Sequence, residues 1–214
     1  MIEKNFVKLY EESFAKNFDV KALSDYSSDI SYTYGEAARQ IARLHILFEA
    51  AGIKKGDKIA VFGKNSSNWC VSFLSVFTYG AVVVPILADF KPADAHTIIN
   101  HSDSIMLFAD KQIMEGLSEA EMKKIKSIIS LDDFSLICSK PPAALKKAHG
   151  ELDKLFEKKY PKGYTKEDVK FAGVDNSEVV EINYTSGTTG FSKGVMLSGN
   201  SLAGNVTFAM RSIE

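Results

Sequence analysis

Tyr184-Thr185-Ser186-Gly187-Thr188-Thr189-Gly190-Phe191-Ser192-Lys193-Gly194-Val195 decides how the rest of the chain is read. Every residue of 185–190 is Ser, Thr or Gly. The flanking β-branched and apolar residues predict a strand over 179–184 and a second over 194–198. Gly187 and Gly190 accept positive φ without a Cβ clash, so successive N–H groups can converge on an anion. The hydroxyls of Thr185, Ser186, Thr188 and Thr189 add hydrogen bonds, and Lys193 adds a mobile positive charge. Composition alone fits a flexible turn as well; the order of donors is what argues for a polyphosphate cradle. The commoner phosphate loop, Gly-x-x-x-x-Gly-Lys-Ser/Thr, is absent, because Lys193 follows Ser192 and precedes Gly194.

The ordered string resembles the signature of the adenylate-forming enzymes: acyl-CoA synthetases, the adenylation domains of peptide synthetases, and luciferases. Their phosphate loop reads Tyr-Thr-Ser-Gly-Thr-Thr-Gly-x-x-Lys-Gly, and every fixed position is present here. Ser192 stands where many relatives carry Pro, and Ser177-Glu178-Val179-Val180-Glu181 where they often carry Asp-Asp-Leu-Ala. Upstream, Tyr32-Thr33-Tyr34, Gly52-Ile53-Lys54-Lys55-Gly56-Asp57-Lys58-Ile59-Ala60, residues 65–69 and Gly80-Ala81-Val82-Val83-Val84-Pro85-Ile86 are similar to the N-terminal half of an acyl-CoA synthetase. The resemblance covers most of residues 30–200, and Trp69 leans it toward the long-chain fatty acyl-CoA ligases of lipid metabolism.

The resemblance implies a two-step ligase. A carboxylate attacks the α-phosphate of ATP to give an acyl-adenylate and pyrophosphate, and a thiol, usually coenzyme A, then displaces AMP. It assigns Thr185, Ser186, Gly187, Thr188, Thr189, Gly190 and Lys193 to ATP, with Lys193 stabilising phosphate charge and Thr185 lying by Mg²⁺. In the family, the adenine site, a Tyr-Gly-x-Thr-Glu motif, a ribose-binding Asp and a mobile domain with a catalytic Lys all follow this loop. They are expected beyond Glu214, so the 214-residue chain reads as an N-terminal portion that is inactive alone. A non-catalytic nucleotide- or acyl-binding module is the alternative. Fatty acid, ATP and coenzyme A are the expected partners; peripheral membrane contact and homo-oligomerisation stay open.

A chain of 214 residues can bury a core, and 45% hydrophobic with 25% charged residues is the balance of a soluble globular protein. The net charge of −1 argues against nucleic acid as a partner. Cys70 and Cys138 lie in apolar runs outside any Cys-x-x-Cys. That fits reduced thiols in a cytoplasmic protein, and one disulfide fits as well. The N-terminus has acid too early for a signal peptide, and no apolar run approaches a membrane span of about 20 residues.

Periodicity predicts a helix over 2–18, with Phe6, Leu9, Tyr10, Phe14 and Phe18 recurring. Thr33 and Glu36 form a capping-box pattern for a helix to Ala51, closed by Gly52. Strands at 59–62, 81–86 and 105–108 alternate with helices from 65–68 to Tyr79 and over 91–101. Such alternation predicts an α/β fold, a mostly parallel β-sheet flanked by helices. The helix around Trp69, Cys70, Val71, Phe73, Leu74, Val76 and Phe77 is apolar nearly all round and is expected to be buried on most sides; Pro85 is expected to end the next strand. Further on come two short strands within 128–138, one amphipathic helix over 143–159, and a helix after Ser198. The expected division is an α/β part over 1–161, a linker over 162–176 and a strand–loop–strand–helix segment over 177–214. His96 and His101, five apart, lack the three- or four-residue spacing that would place both on one helix face as metal ligands. Gly199-Asn200-Ser201-Leu202-Ala203 lacks the final glycine of a nucleophile elbow and reads as a helix start.

Overall fold

Asn5 opens the first helix by accepting a hydrogen bond from Lys8 N, and α1 (Phe6–Lys16) lays Phe6, Val7 and Phe14 into the core. The computed structural model describes residues 5–26, 28–138, 140–185 and 193–212. After α1, β1 (Lys21–Ser24) and β2 (Ser31–Thr33) form a small antiparallel pair that delivers the chain to α2 (Tyr34–Ala51).

The expected capping box is present. Thr33 Oγ1 accepts from Glu36 N at 3.1 Å, and Glu36 Oε2 accepts from Thr33 N at 2.7 Å. Gly52 ends the helix in the left-handed region at φ 73°, which a side chain would resist. Thr33→Ala removes one of the reciprocal bonds and is expected to destabilise the protein by about 1 kcal/mol, read from urea unfolding.

From α2 the chain enters a repeating strand–helix pattern. Its strands are β3 (Lys58–Gly63), β4 (Val82–Leu87), β5 (Met106–Ala109) and β6 (Ser127–Ser130). Between them run α3 (Ser67–Tyr79), α4 (Pro92–His101) and the short α5 (Lys111–Met114). Helices α6 (Ala143–Gly150) and α7 (Leu152–Lys159) follow, then β7 (Val179–Thr185), β8 (Lys193–Ser198) and α8 (Gly199–Ser212). The main sheet has the order β6-β5-β3-β4-β7-β8. Neighbours pair in parallel from β6 to β7, and β8 is antiparallel at the edge.

Because both faces are covered, the inner strands are apolar without alternation: all of β5 is buried, as is 59–62 of β3. One face packs Ile59, Val61 and Phe108 with Ile41, Phe48 and Phe77; the other packs Ala60, Phe62 and Leu107 with Ile98 and Ile99.

Several expectations need correction. Pro85 lies within β4, opposite Val61, and the strand runs on to Leu87. Pairing on the β7 side is confined to Val83↔Glu181, so the missing N–H of Pro85 costs that ladder little. The pair of strands expected within 128–138 is β6 plus one antiparallel bridge, Ile129↔Leu136. The helix over 143–159 breaks at Glu151, whose φ and ψ are −114° and 16°. Gly150 is the weakest helix former there, and the break lets Phe156 pack on Ala42 and Ile46. In α3 the fully buried face carries Val71, Ser72, Ser75 and Val76, whereas Trp69, Cys70, Phe73 and Leu74 are only partly buried. Small hydroxyl residues let that helix lie close on β3 and β4; nothing in the structure explains why Ser72 Oγ is buried with no partner among the described residues.

Residues 162–176, the expected linker, run as a packed strap. Val169, Phe171 and Val174 are buried, Phe171 N donates to Glu11 Oε2 at 2.7 Å, and Ala172 N donates to Thr78 O at 2.9 Å. The parts before and after the strap contribute to the same sheet through β4 and β7.

Candidate functional site

The phosphate-loop string connects β7 to β8. Val179, Val180 and Ile182 suit a strand; Val180 is buried in the core on one face of the sheet and Tyr184 in the core on the other, while Thr185 is exposed. β8 returns antiparallel, with Tyr184 opposite Gly194 and Thr185 opposite Lys193. The two ends of the string therefore stand about 5 Å apart, as directly opposed residues must. Ser186, Gly187, Thr188, Thr189 and Gly190 lie outside the described residues, as do Phe191 and Ser192. Of the expected site residues, the structure places Thr185 and Lys193, and it brings them face to face at the mouth.

Both are exposed, and Lys193 has no ion-pair partner among the described residues. A hydroxyl and an ammonium on directly opposed residues fit a phosphate anion. For a magnesium ion the protein supplies little here: Thr185 offers one oxygen, and no group of three His, Cys, Asp or Glu residues suited to a metal occurs among the described residues. Such an ion would rely chiefly on phosphate oxygens and water, as Mg²⁺ commonly does.

The strand beneath the loop carries an acid that the sequence reading treated only as a departure from pattern. Glu181 is 6% exposed, and Asn183 Nδ2 donates to its Oε1 at 2.9 Å. Burial pushes its carboxyl above the ordinary glutamate range. It borders a groove of about 550 Å³ whose walls include Lys64, Trp69, Phe73, Asp89 and Asn183. Trp69 and Phe73 stack there at 5.2 Å. The groove opens at the carboxyl ends of β3 and β4, the side where open α/β sheets receive ligands. A larger depression of about 790 Å³ lies between α2, α6 and α7. Its charges are partly self-satisfied, with Arg43 on Asp153 at 2.7 Å, so we assign it no chemistry.

Two further residues were missed. The Tyr184 hydroxyl and His101 Nδ1 share a hydrogen bond of 2.7 Å across 83 positions of sequence. His96, by contrast, accepts from Ser118 N and pairs with Glu121. No spacing rule finds the Tyr184–His101 contact, because it exists only once α4 lies on the sheet. Cys70 and Cys138 are free thiols, and burial raises the pKa of each.

A sheet of this order, with a glycine- and hydroxyl-rich string between β7 and β8, defines the large domain of an adenylate-forming enzyme. The chain belongs to the AMP-binding enzyme family, which it matches over residues 10–213. It is 29% identical over 188 residues to 4-hydroxybutyrate–CoA ligase 2 of Metallosphaera sedula, covering 88% of this chain and 33% of that protein. To long chain acyl-CoA synthetase 3 of Arabidopsis thaliana it is 25% identical over 173 residues, 79% of this chain and 25% of the relative. A long-chain-fatty-acid–CoA ligase from Archaeoglobus fulgidus shares the fold with a TM-score of 0.70 at 20% identity, over 95% of this chain and 38% of that structure. The chain thus spans a quarter to a third of the length of these curated relatives. Among the described residues no helix is long and apolar enough to cross a membrane.

Proposed function

We propose that this chain supplies the phosphate-binding part of a ligase that activates a carboxylic acid with ATP and passes the acyl group to coenzyme A. The observation that carries the proposal is the signature string held between two in-register strands, with Thr185 and Lys193 opposed at its mouth. When bound, ATP with Mg²⁺ supplies the α-phosphorus that the carboxylate attacks and the pyrophosphate that leaves. The work of this chain is positioning and charge stabilisation. Lys193 offsets the negative charge that gathers on the β- and γ-phosphates, the hydroxyls of Thr185, Ser186, Thr188 and Thr189 fix their oxygens, and Gly187 and Gly190 let backbone N–H groups approach. A long-chain fatty acid is the proposed acid, supported by the relatives named as long-chain acyl-CoA synthetases.

The magnitudes favour a chain that holds nucleotide weakly by itself. A charge-assisted hydrogen bond contributes roughly 1.5–3 kcal/mol. Ordering a loop costs on the order of 1 kcal/mol per residue. The two terms largely offset each other, so the cradle by itself is expected to hold ATP with a Kd of about 1 mM.

ATP–pyrophosphate exchange with fatty acids of graded length tests the proposal, on the 214-residue chain and on the protein of its full reading frame. We expect exchange with long acids from the second and none from the first. Exchange by the 214-residue chain would sink the idea that this part is inactive alone. A folded full-frame protein that exchanges with no acid would instead be a nucleotide- or acyl-binding module without chemistry.

A further inference from the structure

The residue that enters the phosphate loop is held from the far side of the sheet. Tyr184 is 7% exposed and packs among Val84, Ile86 and Ile98 on the α4 face. A buried phenol needs a partner for its hydroxyl. It finds His101 Nδ1 at 2.7 Å, with the two rings edge to face at 87°. Burial, and then the charge of Asp103, raise the pKa of the Tyr184 hydroxyl, so it stays a neutral phenol. His101 occupies the last turn of α4, and the following corner is fixed by Ser102 Oγ on Ser104 Oγ at 2.8 Å and by Asp103 on Lys124 at 2.7 Å.

Across the strand pair, Gly194 stands opposite Tyr184. A Cβ there would lie 3.0 Å from Ile182 Cγ2, 3.1 Å from Tyr184 Cζ and 3.3 Å from Tyr184 Oη. The phenol ring occupies the space that a side chain would need, and the hydrogen bond to His101 keeps it from retreating. This pins the register. Any slip of β8 by one or two residues would set Ser192, Lys193, Val195 or Met196 against the ring in place of glycine. A one-residue slip would also turn Lys193 to the other face of the sheet. β8 is an edge strand with Val195 and Met196 exposed, so burial of its own side chains does little to fix its register.

We propose that His101 is a positioning residue for the phosphate loop, acting through Tyr184, and that Gly194 is the packing glycine of this register pin. The assignment rests on reading the loop as an anion cradle. The pin holds Thr185 opposite Lys193 before any ligand arrives.

The test uses the protein of the full reading frame and four variants: His101→Ala, His101→Asn, Tyr184→Phe, and the His101→Ala/Tyr184→Phe double. Asn keeps an amide near the position of Nδ1 that can accept from or donate to the phenol. Amide hydrogen exchange is followed along both strands, and affinity is measured with inorganic pyrophosphate and Mg²⁺. We expect His101→Ala and Tyr184→Phe each to speed exchange at 184–185 and 193–195, and to weaken pyrophosphate binding, by about five- to tenfold, the worth of one buried hydrogen bond. The double variant should be no worse than either single, and His101→Asn should restore most of the loss. Tyr184→Phe should also shift the ¹⁵N resonance of His101 Nδ1. Unchanged exchange in His101→Ala, additive losses in the double variant, or acceleration spread evenly over the whole sheet would each overturn the proposal. A wild type that binds no pyrophosphate, with the local exchange pattern as expected, would sink the cradle reading and leave the strand anchor standing.

Discussion

Lys193→Ala, in the protein of the full reading frame, is expected to slow ATP–pyrophosphate exchange by about 10²–10³-fold while leaving the folded state almost untouched. The asymmetry follows from where the side chain sits. Lys193 opens edge strand β8, is exposed, and has no ion-pair partner among the described residues, so folding draws nothing specific from its charge. A surface substitution of that kind shifts stability by about 0.5 kcal/mol or less. In the proposed reaction the ammonium acts where charge develops as pyrophosphate leaves. Removing one preorganised donor from such a site costs about 2.7–4 kcal/mol of barrier. Lys193→Arg keeps the charge but replaces a compact ammonium with a planar fork, so partial recovery is expected. The measurement is the exchange rate at saturating ATP beside a thermal unfolding curve. A well-folded alanine variant with an undiminished rate would remove Lys193 from the mechanism.

Why that residue was readable in advance, and others were not, has a physical answer. The parallel sheet announced itself because strands covered on both faces become continuous apolar runs, as in 59–62 and 106–109. The start and stop of α2 were readable because capping is local: Thr33, Glu36 and Gly52 need only one another and the helix ends. The misread elements depended on packing against distant chain. The apolar periodicity over 143–159 runs through Gly150 unbroken, so the pattern hid the break that lets Phe156 pack on Ala42 and Ile46. In α3, hydrophobicity marked Trp69 and Phe73 for the interior, yet close approach to the sheet selected Ser72 and Ser75. The phosphate string was legible as ordered chemistry. Its anchor was not, because His101 was weighed only for metal-ligand spacing, and its partner lies 83 residues away.

Acid is expected to weaken the fold through His45 in particular, by up to about 3 kcal/mol between neutral pH and pH 4. The His45 ring sits between Phe48 and Tyr79, with Nε2 3.0 Å from Ser75 O and 3.2 Å from Thr78 Oγ1. Burial lowers its pKa from 6.5 to about 4; the bond to Ser75 O works against that, and the nearby charge of Lys159 adds to it. In the unfolded chain the ring takes its proton near pH 6.5, while in the folded protein it refuses one until about pH 4. The stabilisation is therefore fully present above 6.5 and drains away as pH falls toward 4. At about 1.4 kcal/mol for each pKa unit, that window accounts for the figure. Other groups titrate in the same range, with Glu11 held low and Glu181 pushed high, so the wild-type curve alone does not isolate His45. His45→Gln does, because its amide can still donate to Ser75 O and cannot titrate. The variant should be the less stable protein at about pH 7, and the gap to wild type should narrow by about 2–3 kcal/mol by about pH 4.5. Urea unfolding at matched pH values reads the gap directly. A gap that stays constant with pH would mean that the ring keeps its ordinary pKa and that the acid limb belongs to the carboxylates.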